Sequence, residues 1–114
     1  MPKRTLDPLP SAAFQILLAL VDGDLHGYGI MRQVAEQTED RMRLGPGTLY
    51  GSIRTLVQEG LIQEVDGPKG EDTERRRYYR LTPAGRKLAR SEAERLADLL
   101  RVARAKGILR GDHV

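Results

Sequence analysis

Between Gly60 and Thr82 the apolar residues of this chain leave the helical spacing that holds on either side and fall into two short β-prone runs. Leu61 to Val65 forms the first, and Arg75 to Thr82, with Tyr78, Tyr79 and Leu81, forms the second. The charged, turn-forming stretch Asp66 to Glu74 joins them, which predicts a two-stranded hairpin with a long tip. Three helices precede it. Ser11 to Val21 is almost continuously apolar, with Ser11 placed as an N-cap, and reads as a helix buried on most sides. Asp22-Gly23-Asp24 breaks the chain, after which Ile30, Met31, Val34 and Ala35 recur at helical spacing from about His26 to Thr38. Gly45-Pro46-Gly47 opens a third helix, Pro46 to Glu59, whose Leu49, Ile53, Leu56 and Val57 form an apolar stripe that holds it to the core. Gly60 ends it. After the hairpin, Thr82 and Pro83 read as N-cap and first residue of a long charged helix reaching about Lys106.

The order helix, helix, helix, hairpin, helix predicts a mainly α fold with a small β-hairpin: a winged helix-turn-helix followed by a long C-terminal helix. At 114 residues and 39% hydrophobic the chain holds one modest core, so residues 1–82 and 83–114 are expected to form a single compact unit. The absence of cysteine removes disulfides and thiolate chemistry, and fits a reducing compartment. Met1 to Pro10 lacks an apolar signal core, and no apolar run approaches the roughly 20 residues that span a bilayer, so a soluble, cytoplasmic chain is expected. An enzyme is disfavoured. His26 and His113 have no second ligand at metal spacing, so no metal or other cofactor is expected, and His26 suits a capping or packing role. Gly45 to Gly51 lacks the Lys-Ser/Thr ending of a phosphate loop.

A formal net charge of +3 decides nothing by itself; its placement says more. Residues 1–40 are net acidic, whereas Arg41, Arg43, Arg54, the triplet Arg75-Arg76-Arg77 and the last helix carry the positive excess. On the third helix, the side opposite the apolar stripe holds Gly47, Thr48, Gly51, Arg54, Thr55 and Gln58, small or hydrogen-bonding and open to approach. Fourteen helical residues extend roughly 21 Å against a major groove about 12 Å wide, so only the first two turns, with Thr48, Tyr50, Gly51 and Arg54, would reach base edges. Free amides at Gly47 and Thr48 suit a phosphate. Strand alternation puts Arg76, Tyr78 and Arg80 on one side and Arg75, Arg77, Tyr79 and Leu81 on the other, with Tyr79 and Leu81 toward the core. At the hairpin tip all three arginines would stay exposed near a phosphate row. Lys69 is a weaker contact, because Glu71, Asp72 and Glu74 lower the potential around it.

His26-Gly27-Tyr28-Gly29-Ile30, the run Gly45 to Tyr50, the stretch Leu56 to Ile62 and the block Arg77 to Gly85 occur in the order and with the spacing of the PadR family of bacterial transcriptional regulators, which this chain resembles from about Phe14 to Leu88. Gly29 departs from the family pattern, which more often has an acidic residue there. The longer flanking helices of MarR-type regulators do not fit this length. The resemblance implies a winged-helix homodimer acting mainly as a repressor on double-stranded DNA, with Thr48, Tyr50 and the basic residues of the wing at the duplex.

In the last helix Ala89, Ala93, Leu96, Leu100 and Ala103 are spaced four, three, four and three, a short coiled-coil seam flanked by Leu88 and Leu99. The resemblance pairs this helix with that of a second subunit, assisted by the first helix, where Phe14 and Leu18 lie. Two recognition helices about 34 Å apart then call for a pseudo-palindromic operator. The resemblance also implies a small-molecule effector near the dimer interface, for which this chain offers few stacking partners, having no tryptophan and one phenylalanine, Phe14. The rival reading is a winged helix that binds protein without touching DNA.

Overall fold

The computed structural model of the chain describes residues 9–68 and 76–109. In chain order the elements are α1 (Ser11–Ala19), β1 (Leu25–His26), α2 (Gly27–Gln37), α3 (Pro46–Gln58), β2 (Ile62–Val65), β3 (Tyr78–Leu81) and α4 (Pro83–Ala105). The helices meet in one apolar core built from Ile16 and Leu17 of α1, Ile30 and Val34 of α2, and Leu49, Ile53 and Leu56 of α3. Leu61, Ile62 and Tyr79 close it from the sheet side, and Ala89 from α4. Among the described residues no charged or polar side chain is buried, so the fold is held by apolar packing.

Three expectations are corrected. The hairpin is part of a three-stranded antiparallel sheet, ordered β1-β3-β2, in which Leu25 pairs with Tyr79 and His26 with Tyr78. A strand of two residues is too short to show a period of two, so only its pairing reveals it. The N-cap of α1 is Pro10, with extended backbone and no side-chain cap bond; its carbonyl accepts from Phe14 N–H at 3.0 Å, and Ser11 is already helical. Val57 is 39% exposed. At 100° per residue it stands roughly 80° around the helix from Leu49, at the margin of the stripe, while Ile53 and Leu56 lie within about 40° of Leu49.

Local stop and start signals place α3 and α4. Gly60 takes a left-handed φ of +75°, its N–H bonds to Val57 O at 3.0 Å and Leu61 N–H to Leu56 O at 2.9 Å, the paired bonds of a Schellman cap. Thr82 caps α4 by accepting from Gly85 N–H at 3.0 Å, while its hydroxyl donates to Gly60 O at 2.7 Å and its N–H to Leu61 O at 3.1 Å. One threonine thus ties the end of α3 to the start of α4. Along α4 only Gly85 and Ala89 are buried; Leu99, Leu100 and Val102 are about half exposed. Among the described residues no helix is long and apolar enough to cross a membrane.

Candidate nucleic-acid interface

With Leu49, Ile53 and Leu56 fixed in the core, α3 turns its opposite side outward. Gly47, Thr48 and Arg54 are exposed there, and Gly51 and Thr55 are half-buried. A Cβ added at Gly47 or Gly51 would meet nothing within 4 Å, so the surface is open where a duplex would approach. Gly45 caps the helix through its backbone with no side-chain bond, and Pro46 follows at the first position. First-turn amides at Gly47 and Thr48 therefore have no carbonyl partner inside the helix. Thr55 Oγ1 donates to Gly51 O at 3.2 Å, which engages its hydroxyl hydrogen within the helix. Arg54 has no ion-pair partner among the described residues.

The turn leading into α3 is held by Thr38, whose hydroxyl donates to Val34 O at 2.9 Å and accepts from Met42 N–H at 3.0 Å. Glu39 and Asp40 within it take left-handed φ values of 53° and 66°. Asp40 also lies 3.5 Å from Arg43.

Tyr50 departs from the groove-facing expectation in its direction. Its ring crosses to the start of α2, so closely that a Cβ on Gly27 would overlap its hydroxyl oxygen and stand 2.9 Å from Cζ. It remains 48% exposed. A packed ring of this kind leaves the hydroxyl at the junction of α2 and the wing.

The wing arginines have separate neighbours. Arg80 forms a two-pronged pair with Asp24, Nε to Oδ1 at 3.0 Å and Nη2 to Oδ2 at 2.8 Å. Arg77 Nε lies 3.7 Å from Glu64 Oε2 on the adjacent strand. Arg76 is directed at His26, Nη1 to Nε2 at 3.0 Å. Arg75 and Lys69 lie outside the described residues. His26 caps α2, its Nδ1 accepting from Gly29 N–H at 3.0 Å. Sequence reasoning assigned His26 a cap but missed its contact with the wing; the adjoining Gly27-Tyr28 at a helix start was the available signal.

Hydrogen bonding from Arg80 holds the Asp24 carboxyl below its ordinary value. A lowered folded-state pKa makes the pair's contribution complete above the unfolded value near 3.8 and removes it as pH falls through the folded value. Asp24→Asn is therefore expected to flatten the acid limb of a stability-versus-pH curve below about pH 4. The effect is small and salt-sensitive, since the pair faces water. Urea denaturation at stepped pH checks it, and an acid limb as steep as wild type would refute it.

The residues expected at a subunit contact occupy three settings. Ala89 packs into the chain's own core, and Phe14 and Leu18 on α1 are half-buried. Leu96 and Ala103 are half-buried, whereas Ala93 and Leu100 are exposed.

The family model of the transcriptional regulator PadR-like family matches residues 16–91. A transcriptional regulator of Mycobacterium tuberculosis is 33% identical over 86 residues, 75% of this chain and 76% of that protein. A 37.1 kDa protein in a transposon of Streptomyces fradiae is 42% identical over 88 residues, 77% of this chain but 24% of the relative, so this chain spans about a quarter of that protein's length. Among solved structures, a transcriptional regulator from Clostridium thermocellum superposes with a TM-score of 0.70 at 29% identity, covering 82% of this chain and 87% of the other. Bacillus subtilis PadR in complex with operator DNA gives 0.64 at 25% identity, covering 76% and 48%. With the family pattern running from α1 through the opening turns of α4, the chain belongs to the PadR-like family of transcriptional regulators.

Proposed function

We propose that this regulator is a homodimeric repressor that reads a pseudo-palindromic operator with the first two turns of α3. The observation that carries the reading is the exposed, small-residue face of α3, with Arg54 free of any described carboxylate, beside a wing that presents Arg76. Gly47 and Gly51 admit a duplex backbone or base edge without a clash, Thr48 supplies a hydroxyl and Arg54 a guanidinium. The likeness to a relative described in complex with operator DNA supports it. The second half of α4, helical to Ala105 with Leu99 and Leu100 open, supplies the dimer seam together with Ala93, Leu96 and Ala103. A small-molecule effector belongs to the same reading: seated where α1 and α4 of two subunits meet, it would change the separation of the two α3 helices and release the operator.

Fluorescence anisotropy on an operator duplex and on an unrelated duplex, each across a salt series, tests this. Log affinity should fall with log salt by about 0.9 per phosphate contact. Arg54→Ala is expected to lose about 1–3 kcal/mol on the operator and much less on the unrelated duplex, as a guanine-reading arginine would. Equal losses on both would reduce Arg54 to a phosphate contact. Salt-independent or absent duplex binding would instead favour a protein-interaction module.

A further inference from the structure

His26 lies where α2, the wing and α3 converge. Its Nδ1 accepts a hydrogen bond from Gly29 N–H, so that nitrogen carries no proton. Burial of the ring, and after it the charge of Arg76, holds the imidazole pKa below its ordinary value, which leaves the ring neutral at neutral pH with its single N–H on Nε2. That N–H faces Arg76 Nη1 at 3.0 Å. A guanidinium has donors only. With the Nε2–H tautomer, two donors thus stand side by side at the edge of the protein, and an oxygen that approaches both from the open side accepts from each.

The surroundings fit such a group. A cleft of ≈ 370 Å³ is lined here by His26, Gly27, Tyr28, Tyr50, Arg76, Arg77 and Tyr79, and among the described residues no carboxylate lines it. Tyr28 stacks on the imidazole at 6.4 Å between centroids and Tyr78 meets it edge-on at 5.2 Å, which fixes the ring's direction. The positive end of the eleven-residue helix α2 opens beside it.

We propose that this cleft holds one phosphate of the DNA backbone, with His26 Nε2–H and the Arg76 guanidinium donating to its oxygens. The proposal rests on the DNA-binding reading and adds to it a contact outside α3. Because Tyr50 projects from α3 into the same cleft, one phosphate held here fixes α2, α3 and the wing against the duplex at once, and so sets the register in which Thr48 and Arg54 meet the bases.

The test compares wild type, His26→Asn, Arg76→Gln and the double variant by anisotropy on operator and unrelated duplexes. Asparagine keeps the cap, because its side-chain oxygen accepts from the helix amide, but its amide ends short of the position that Nε2 holds beside Arg76. His26→Asn should bind both duplexes about tenfold more weakly, as loss of a hydrogen bond to a charged group implies, with an unchanged melting temperature. Arg76→Gln should lose about tenfold or more and lower the salt slope by about 0.9. In the double variant the loss should fall clearly short of the product of the single losses, because both groups hold one phosphate. Independent, multiplying losses, or wild-type affinity for His26→Asn, would overturn the proposal while leaving the DNA-binding reading intact. Wild-type protein that binds neither duplex would overturn both. The imidazole nitrogen resonances of His26 in the wild type give a reading that needs no variant: a shift of Nε2 on adding duplex supports the assignment. A shift with inorganic phosphate and none with duplex would assign the cleft to a free anion and sink it.

Discussion

Gly85→Ala is expected to lower the melting temperature by at least about 10 °C, even though alanine is favoured over glycine inside a helix by about 1 kcal/mol. Gly85 sits in the first turn of α4 where the helix presses on the backbone leaving α3. A Cβ there would overlap the Leu61 carbonyl oxygen and stand 2.8 Å from Leu81 Cδ1. The obstacle is main chain, so a rotamer change cannot relieve it. If α4 backs away, Leu61 O loses the Thr82 N–H at 3.1 Å and Thr82 Oγ1 loses Gly60 O at 2.7 Å, the bonds that clamp the wing to the helices. Overpacking costs about 1–3 kcal/mol and each lost hydrogen bond about 1, so the net loss is about 3 kcal/mol after the helix-propensity gain. Thermal unfolding followed by circular dichroism measures it. Gly51→Ala, where the added methyl meets open space, is the control and is expected to melt at or slightly above the wild type. A Gly85→Ala protein that behaved like this control would show that α4 does not approach Leu61 as closely as described.

Leu100→Glu is expected to convert a dimer into monomers at micromolar concentration while leaving the subunit folded. Leu100 is 46% exposed in the single subunit and lies on the half of α4 beyond Ala89, the last of that helix's buried residues. With about half of its surface left to cover, Leu100 contributes about 1 kcal/mol in a symmetric interface, and the symmetry doubles the loss to about 2 kcal/mol, or about thirtyfold in the dimer dissociation constant. The buried carboxylates add to this. Operator affinity should fall by a comparable factor, because a monomer engages one half-site. Light scattering on both proteins decides the matter: wild type that is already monomeric, or a variant that remains dimeric, would remove α4 from the assembly.

The helices were legible in the sequence because their signals are local. Pro46 at the first position, Gly60 at the end, and Thr82-Pro83 at the next start set boundaries within about a residue of those observed. Apolar spacing likewise identified Ile30, Val34, Leu49, Ile53 and Leu56 as core. Periodicity failed where the geometry was marginal: Val57 shares the count of the stripe but not its direction, and β1 has two residues and no period. The arginine triplet was legible only as charge. Which arginine pairs with a carboxylate and which meets His26 depends on strand register and on residues about 50 positions distant.

The sequence by itself therefore determined the four helices and the hairpin, their order, the caps of α3 and α4 and most of the face each helix turns inward, since these depend on residues within one or two turns of each other. Tertiary structure alone decided what the hairpin packs on. It brought Leu25-His26 alongside β3, set Asp24 against Arg80, laid Tyr50 over Gly27 and placed His26 before Arg76. These are contacts between segments far apart in the chain. Their partners are fixed by how the helices pack around Ile16, Leu17, Ile30 and Leu56, which no local spacing encodes.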